Sequence, residues 1–383
     1  MREKILLLGM CCFLSMTGGS AQRKERNVQT STMKCEVKGQ LGKEQGWKKV
    51  LVSESTVGVG KVEYVDSVGI VDGRFLLPVE QEAVPTLHKL KVVDDRDNAQ
   101  ELWLFVDCDE ISVRTDKKSG LLRASGSESN EAYFSLMQEK APLEQQIQAT
   151  ETLFEDATQP REVRWRAEAT LDSLNEVEAR LHTQYLRAHP KTLLALTIAA
   201  QNCNQLGMTI SEQTLEQLPE MFKETKAYKR VSRYVENEHL CIPGDGYHDF
   251  AMKDINGRVV RLSDYAEQSS YVVLDFWASW CPSCRADMPL MVEMYQRFKD
   301  RGIEFIGISL DKDEAKWKQA VKDMGMEWMQ LSDLKGWDCH AARINGVNHI
   351  PYTIIIAPNG RVMMKDIHGH KLMEALERWA EKP

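Results

Sequence analysis

The sequence lacks any apolar run long enough to cross a membrane. The longest, residues 5–16, has about twelve residues, whereas a transmembrane helix needs roughly twenty. A charged start precedes it, and small residues at Gly19 and Ala21 follow it, which is the pattern of a secretory signal peptide. We therefore expect residues 1–21 to be a signal peptide cleaved near Ala21, leaving an exported, periplasmic and soluble protein.

Two cysteines inside this segment give a second interpretation, a lipoprotein whose mature chain begins with a lipid-bearing Cys11 or Cys12. Met10 and Cys11 are poor residues for the position directly before such a cysteine. The lipoprotein therefore ranks below the cleaved signal peptide.

The sequence also lacks a concentrated excess of positive charge. Its 49 lysines and arginines are outnumbered by 57 aspartates and glutamates, which gives a formal net charge of -8. No basic run is long enough to neutralise a stretch of phosphates, so we do not expect nucleic acid as a partner.

Cysteine is sparse, at nine in 383 residues, which excludes a small disulfide scaffold. Two lie in the predicted signal peptide, which leaves seven, an odd number, so at least one thiol is free, shared between chains or paired transiently. Cys35 and Cys108 fall in one predicted domain, and the sequence leaves open whether they are bridged. Cys203 and Cys241 are expected to be isolated buried thiols. The same is expected of Cys339, with a third redox thiol as the alternative.

The length predicts two or three domains. Residues 33–125 alternate apolar and polar positions between turn signals, and the Asp72-Gly73 step between two apolar runs is typical of a tight hairpin. We expect an antiparallel β domain here, built as a small sandwich.

Residues 128–240 are rich in Glu, Gln, Lys, Ala and Leu at helical spacing. The apolar stripe over residues 167–185 predicts one helix, and residues 192–202 predict a second. A third is expected after Ser211, with apolar positions that continue to Phe222. The plain interpretation is an α-helical connector or docking module.

Residues 244–383 alternate between strand and helix patterns. Asn256-Gly257 indicates a hairpin, and a β-α-β run then covers residues 271–277, 284–299 and 303–310. The two strands of that run should be parallel, whereas the last two strands should form an antiparallel hairpin. We expect an α/β domain with a mixed sheet flanked by helices on both faces.

The strongest functional signal is Cys281-Pro282-Ser283-Cys284, which follows the buried strand and opens the helix. Two intervening residues place both sulfurs in one helical turn, close enough to form a disulfide. Unpaired N–H groups and the positive end of the helix dipole favour a thiolate at Cys281, whose pKa can fall from ~8.5 toward ~7. We predict dithiol–disulfide exchange in which Cys281, the more exposed cysteine, attacks and Cys284 resolves the mixed disulfide.

Two other chemistries are disfavoured. A zinc half-site needs two further ligands at comparable spacing, and Cys339-His340 does not repeat the pattern. A peroxidase needs a lone cysteine preceded by threonine or serine and proline at set spacing, which the residues before Cys281 do not provide. We expect no cofactor beyond the redox-active Cys281–Cys284 pair.

Residues 274–285, LDFWASWCPSCR, resemble the active-site segment of thioredoxins. Together with residues 285–289 and 303–311 they resemble the exported TlpA/ResA-like branch of that family, which implies a thioredoxin-like fold for residues 244–383. More weakly, three short segments are similar to a β module of unknown function that precedes such domains in exported bacterial proteins. These segments are residues 65–67, 72–75 and 126–130.

The resemblance implies several supporting residues. Ile350-Pro351 matches a loop whose proline is cis and packs beside the disulfide, where the neighbouring backbone can pair with a substrate peptide. Asp275 matches the buried carboxylate under the cysteines, a candidate proton acceptor for Cys284. Asp287 stands where the branch usually has glutamate, and a solvated helix residue is the alternative.

Other positions near the motif carry further expectations. Trp280 and Trp277 should shield the site, with plain core aromatics as the equal alternative, and the dipeptide Pro282-Ser283 should tune its redox poise. Thioredoxins place proline before the second cysteine instead, and they carry a lysine where Gly307 stands here. His349 is expected to be an ordinary loop histidine, with assistance in proton transfer as the less favoured alternative.

The expected function is that of an exported thiol–disulfide oxidoreductase, and the favoured direction is that of a protein-disulfide reductase kept reduced by a membrane electron donor. It would serve cytochrome c maturation, cell redox homeostasis through disulfide repair, or an oxidative-stress response. The sequence does not decide between reductase, oxidase and isomerase. The alternative is a binding protein, or a homodimer formed through the N-terminal or helical domain, whose dithiol is a redox-sensitive latch.

Overall fold

Two four-stranded β-sheets come first in the described chain. The computed structural model of the protein describes residues 33–54, 62–81, 84–156, 158–266, 268 and 271–380. The predicted signal peptide and the alternative lipid-bearing cysteines lie outside these residues. The strands are β1 (Met33–Gln40), β2 (Trp47–Ser53), β3 (Tyr64–Gly69), β4 (Arg74–Gln81), β5 (Thr86–Asp94), β6 (Ala99–Val106), β7 (Glu110–Thr115) and β8 (Leu122–Ser125).

The two sheets have the strand orders β4-β1-β7-β8 and β3-β2-β5-β6. Val37 and Leu77 of the first sheet and Val50 and Val92 of the second are fully buried in one apolar cluster. The predicted sandwich is therefore confirmed. Its pairings are antiparallel except for β1 with β7, which run parallel. These two strands are distant in sequence, so no turn signal between them could indicate their relative direction.

The Asp72-Gly73 step forms the predicted tight turn. Both residues have positive φ, 52° and 75°, and the backbones of Val71 and Arg74 exchange two hydrogen bonds of 2.9 Å across it. The turn does not open a continuous hairpin, however, because β3 before it and β4 after it belong to different sheets. It carries the chain from one layer of the sandwich to the other.

A run of long helices follows, as the composition predicts: α1 (Glu128–Glu155), α2 (Arg161–Ala188), α3 (Leu193–Gln217) and α4 (Lys226–Glu238). The predicted break between the second and third helices is confirmed, because α3 is kinked by non-helical backbone at Asn202 and Gly207. The extension to Phe222 is wrong, because that residue lies in a separate 3-10 turn after Pro219. Of the helices that the structure describes, none has the length and apolar character to cross a bilayer.

The remaining residues form the α/β region. Its elements are β9 (Ala251–Asp254), β10 (Val259–Arg261), α5 (Ser263–Ala266), β11 (Tyr271–Trp277), α6 (Pro282–Phe298), β12 (Ile303–Ser309), α7 (Glu314–Asp323), β13 (Met329–Ser332), α8 (His340–Ile344), β14 (Tyr352–Ile356), β15 (Val362–Lys365) and α9 (Gly369–Ala380).

These strands form one mixed sheet in the order β10-β9-β13-β12-β11-β14-β15. The predicted parallel pair β11/β12 and the antiparallel hairpins β9/β10 and β14/β15 are confirmed. Every residue of β11 from Val272 to Trp277 is buried, so the sheet is covered on both faces. Strand β13 was not predicted, because its four residues include Gln330 and Ser332 and show no apolar run.

Candidate active site

The cysteine motif lies where β11 gives way to α6. Trp277 ends the buried strand, and Cys281 is the N-cap residue of the helix, with Pro282 at its first position. Proline suits that position, because the first N–H groups of a helix have no intrahelical partner. The N–H of Cys284 donates to the Cys281 sulfur at 3.1 Å. The predicted strand–motif–helix order therefore holds, and the first sulfur lies at the helix N-terminus.

Cys281 and Cys284 are joined in a disulfide, with their Cα atoms 5.4 Å apart. The expectation that Cys281 is clearly more exposed than Cys284 is wrong for the disulfide form, because Cys281 is 3% exposed and Cys284 is 2% exposed. One contact that covers the first sulfur comes from the neighbouring loop, where the Ile350 carbonyl oxygen lies 3.8 Å from Cys281 Sγ. Ser283 contributes a second, with Oγ at 3.4 Å from the same sulfur.

The loop before β14 brings proline to the disulfide. The Ile350–Pro351 peptide bond is cis, as the resemblance implies. Phe276 of β11 pairs with Tyr352 of β14, which fixes this loop at the end of the strand that leads to the motif. Pro351 and Cys284 consequently line one small cavity under the disulfide.

Two carboxylates, Asp275 and Asp287, line the same cavity, whose volume of about 20 Å³ is enough for one water molecule. Burial raises the pKa of Asp275 to about 7, and the negative charge of Asp287 adds to the effect. Asp275 Oδ2 has no hydrogen-bond partner among the described residues. The pKa of Asp287 is also raised by burial, and the residue is half-buried, so part of its side chain still meets solvent.

A buried aspartate that the sequence analysis missed holds the turn before the cysteines. Asp311, 1% exposed, accepts hydrogen bonds from the Ser279 N–H at 2.9 Å and the Ser279 hydroxyl at 2.6 Å. The Ser309 hydroxyl also donates to it, at 2.8 Å. Its position directly after an apolar strand was the available signal, because a carboxylate is rarely buried there without partners.

The tryptophans near the motif take different positions. Trp277 is fully buried, and its indole N–H donates to Gln330 Oε1 at 3.0 Å. Trp280 is 53% exposed and does not cover the sulfurs as a buried shield would. Trp337, missed in the sequence, is 45% exposed, and its ring centroid lies 6.3 Å from that of Trp280. The two rings form an exposed aromatic pair next to Cys281.

The remaining described cysteines form no disulfide with the motif. Cys203, Cys241 and Cys339 are buried free thiols, as expected, and burial raises the pKa of Cys339 to about 11. Cys35 and Cys108 are likewise free in this structure. Within the described part of the chain, these five cysteines are thiols while Cys281 and Cys284 are oxidised.

Known proteins resemble this chain through its C-terminal part. The model of the AhpC/TSA family matches residues 243–365. The thiol–disulfide oxidoreductase ResA of Bacillus cereus is 28% identical over 149 residues, which cover 39% of this chain and 83% of the relative. ResA of Oceanobacillus iheyensis is 31% identical over 151 residues, which cover 38% of this chain and 76% of the relative.

The chain belongs to the ResA-like thiol–disulfide oxidoreductases. Among solved structures, a thiol–disulfide oxidoreductase of Bacteroides fragilis has 26% sequence identity and a TM-score of 0.34, and the match covers 35% of this chain and 98% of the other. The sandwich and all four helices α1 to α4 precede the part that the family model matches.

Within this ResA-like domain, the position of the missing thioredoxin lysine has a structural replacement. A Cβ atom on Gly307 would collide with the side-chain amide of Gln330, which occupies the space beside the strand. That amide also holds Trp277. A larger side chain at residue 307 would therefore have to displace the Gln330 amide, a neighbour that the sequence did not reveal because β13 itself was not predicted.

His349 does not contact the sulfurs through any described hydrogen bond. Its ring lies 3.0 Å from Asp366 Oδ1 through Nε2 and 2.8 Å from Asn348 Oδ1 through Nδ1. The ring also packs edge-on against Tyr352. One nitrogen thus contacts the loop itself and the other contacts the residue after β15, which agrees with the expectation of an ordinary loop histidine.

Proposed function

We propose that this enzyme is an exported reductant of protein disulfides, with Cys281 as the attacking sulfur and Cys284 as the resolving one. The observation that carries the proposal is the position of Cys281. It is the N-cap of α6, bonded to Cys284 one turn along and faced by the Ile350 carbonyl. Backbone N–H groups at a helix N-terminus stabilise a thiolate, which is the species that attacks disulfides.

The exchange begins from the reduced enzyme. The Cys281 thiolate attacks one sulfur of a substrate disulfide, the substrate S–S bond breaks, and the other substrate sulfur leaves as a thiolate that takes a proton from solvent. Cys284, once deprotonated, attacks Cys281 Sγ and expels the second substrate sulfur as a thiolate. Two electrons pass from the enzyme dithiol to the substrate, and a dithiol donor then returns two electrons and two protons.

Asp275 is the group that we propose takes the proton of Cys284. Both residues line the cavity under the disulfide, and burial raises the pKa of Asp275 to about 7. A base whose pKa lies near the working pH accepts a proton readily and then returns it. Asp287 supports this role, because its negative charge is one of the two causes of the raised pKa.

The substrate backbone is proposed to lie along Ile350, whose carbonyl faces Cys281, while apolar substrate side chains contact Trp280 and Trp337. Exposed aromatic rings of this kind contribute contact area without a large loss of side-chain entropy. The proposed placement outside the cytoplasm rests on the sequence pattern of residues 1–21. A membrane electron donor and a role in cytochrome c maturation or disulfide repair follow from the family resemblance.

Reduction of insulin by the mature chain tests the proposal, with dithiothreitol as donor and Cys281→Ser as the comparison. Catalysis by the wild type that the variant lacks is the expected result. Equal inactivity of both with several donors would favour the redox latch instead. Equilibration with glutathione buffers then separates a reductant, whose disulfide forms readily, from an oxidant.

A further inference from the structure

Helix α4 carries a stripe of positive charge in a protein whose formal net charge is -8. The stripe consists of Lys226, Lys229, Arg230 and Arg233, all exposed and spaced so that they share one face of the helix. The opposite face is buried and includes Val231. We call these four residues the basic stripe.

Most of this charge is not neutralised within the described part of the chain. Lys229 is paired with Glu224, with 2.6 Å between Nζ and Oε2. Lys226, Arg230 and Arg233 take part in no ion pair among the described residues. Exposed cations in a row that lack an ion-pair partner are suited to an anionic partner.

The basic stripe borders a cleft of about 490 Å³ whose other wall is the active-site loop at Asn348 and His349. That volume lies within the roughly 300–1,000 Å³ typical of ligand sites. Asn348 is two residues before Ile350, whose carbonyl oxygen lies 3.8 Å from Cys281 Sγ. Two residues of extended chain span at most about 7 Å, so Asn348 at the edge of the cleft is close to the residue that contacts Cys281.

The fold fixes the stripe in this position. Gly346 of the active-site loop packs against the backbone of Asn237, so closely that a Cβ atom would overlap its carbonyl oxygen. Lys365 of β15 pairs with Glu238 at 2.8 Å and donates to the Cys241 carbonyl at 2.6 Å. The end of α4 is therefore tied to the sheet on which the active site is built.

We propose that this cleft binds an acidic segment of the substrate protein adjacent to the disulfide that is reduced. The inference rests on the proposed function and names the class of substrate. The basic stripe is about 10 Å long at 1.5 Å per helical residue, a length that about three residues of extended peptide match. The described residues that line the cleft include no carboxylate, and the nearby acids Asp366 and Glu224 are bonded to His349 at 3.0 Å and to Lys229 at 2.6 Å. Carboxylates of the substrate are therefore the complementary groups.

The test uses three peptides that share one intramolecular disulfide and differ in three flanking residues, which are glutamate, glutamine or lysine. The wild type should reduce the glutamate peptide with a kcat/KM about tenfold above that of the glutamine peptide at low salt, and the lysine peptide should be slowest. High salt should remove the difference. The double variant Arg230→Glu/Arg233→Glu should invert the order.

The matched control is Arg258→Glu/Arg301→Glu, which makes the same charge change at two exposed arginines outside the cleft. It should keep the preference of the wild type. Circular dichroism melting curves establish that both double variants are folded. A preference that persists in Arg230→Glu/Arg233→Glu, or that disappears equally in the control, would overturn the inference.

Two further measurements separate this inference from the proposed function. Reduction of hydroxyethyl disulfide, a neutral small molecule, measures disulfide exchange that does not use the cleft. If the enzyme reduces this molecule but shows no preference among the three peptides, only the inference is overturned.

Fluorescence anisotropy with a glutamate peptide whose cysteines are replaced by serine measures binding without chemistry. Binding that the arginine reversal abolishes, with no exchange on any disulfide, supports the cleft and overturns the proposed function. Inorganic phosphate that binds while the glutamate peptide does not would assign the cleft to small anions and overturn the inference.

Discussion

Gly346 lies against the backbone carbonyl of Asn237, so that the active-site loop and the last turn of α4 are in direct contact. Its φ of 67° belongs to the left-handed region that favours glycine. The contact joins the helical region to the loop that carries the cis proline. Because of this contact, a substitution of Gly346 is expected to affect both the stability and the activity of the protein.

Replacement of Gly346 by alanine is expected to destabilise the protein by more than backbone strain alone. Gly325 is the matched control, because its φ is 66° and a Cβ atom there has nothing within 4 Å. Gly325→Ala should cost about 1–2 kcal/mol of unfolding free energy, from the left-handed backbone. Gly346→Ala should cost more, because the Asn237 backbone must also move. Chemical denaturation of both variants measures the difference, and equal losses would show that the contact is unimportant.

The order of attack predicts opposite behaviour for the two cysteine variants. Cys284→Ser should accumulate a stable mixed disulfide with a substrate protein, because the resolving sulfur is gone, whereas Cys281→Ser should form none. Non-reducing electrophoresis with mass spectrometry identifies the bonded cysteine. Cys339→Ser, at a buried thiol, is the control and should turn over normally. A complex trapped through Cys284 in the Cys281 variant would reverse the assignment.

Asp275 makes stability depend on pH in a defined direction. Its pKa rises from 3.8 in the unfolded chain to about 7 in the folded protein. Between pH 3.8 and about 7 the folded protein holds a proton that the unfolded chain releases, so the free energy of unfolding falls as the pH rises through this range. Asp275→Asn should therefore stabilise the oxidised protein at pH 8 by on the order of 1–4 kcal/mol and leave it unchanged near pH 4. Asp300→Asn, at an exposed carboxylate, is the control. Parallel stability profiles for Asp275→Asn and the wild type would contradict the raised pKa.

The aromatic pair is expected to act in substrate binding. Trp280→Ala and Trp337→Ala should each raise the KM for insulin about two- to tenfold, because an aromatic contact contributes roughly 0.5–1.5 kcal/mol. The rate with hydroxyethyl disulfide should change much less. Val71→Ala, at an exposed apolar residue of the sandwich, is the control and should have no effect. Equal losses on both substrates would indicate that the rings act on the cysteines and not on the protein substrate.

The sequence contained most of the elements that build the site. The buried run that ends at Trp277 and the motif that begins at Cys281 are both local, so their strand and helix could be predicted from neighbouring residues. The hairpin at Asn256-Gly257 could be predicted for the same reason. The direction of β1 against β7 and the end of the last predicted helix, which stops at Gln217 and does not reach Phe222, were not predicted.

The residues that were missed act across the sheet. Gln330 fills the space beside Gly307 only because β13 pairs with β12, and Trp337 meets Trp280 only in the folded chain. The exposure of Cys281 was misjudged for a similar reason, since the loop at Ile350 is distant in sequence and covers it. Contacts between distant segments leave no periodic signal in the residues that make them.

The measurement that tests the central claim most directly is alkylation of the reduced enzyme by substoichiometric iodoacetamide at pH 7, followed by peptide mapping. The N-cap position of Cys281 predicts that this residue is modified first, and faster than a free thiol in an unstructured peptide. Modification of Cys281 at the rate of the free thiol, or at the same rate as Cys284, would contradict the claim that α6 activates this sulfur for disulfide exchange.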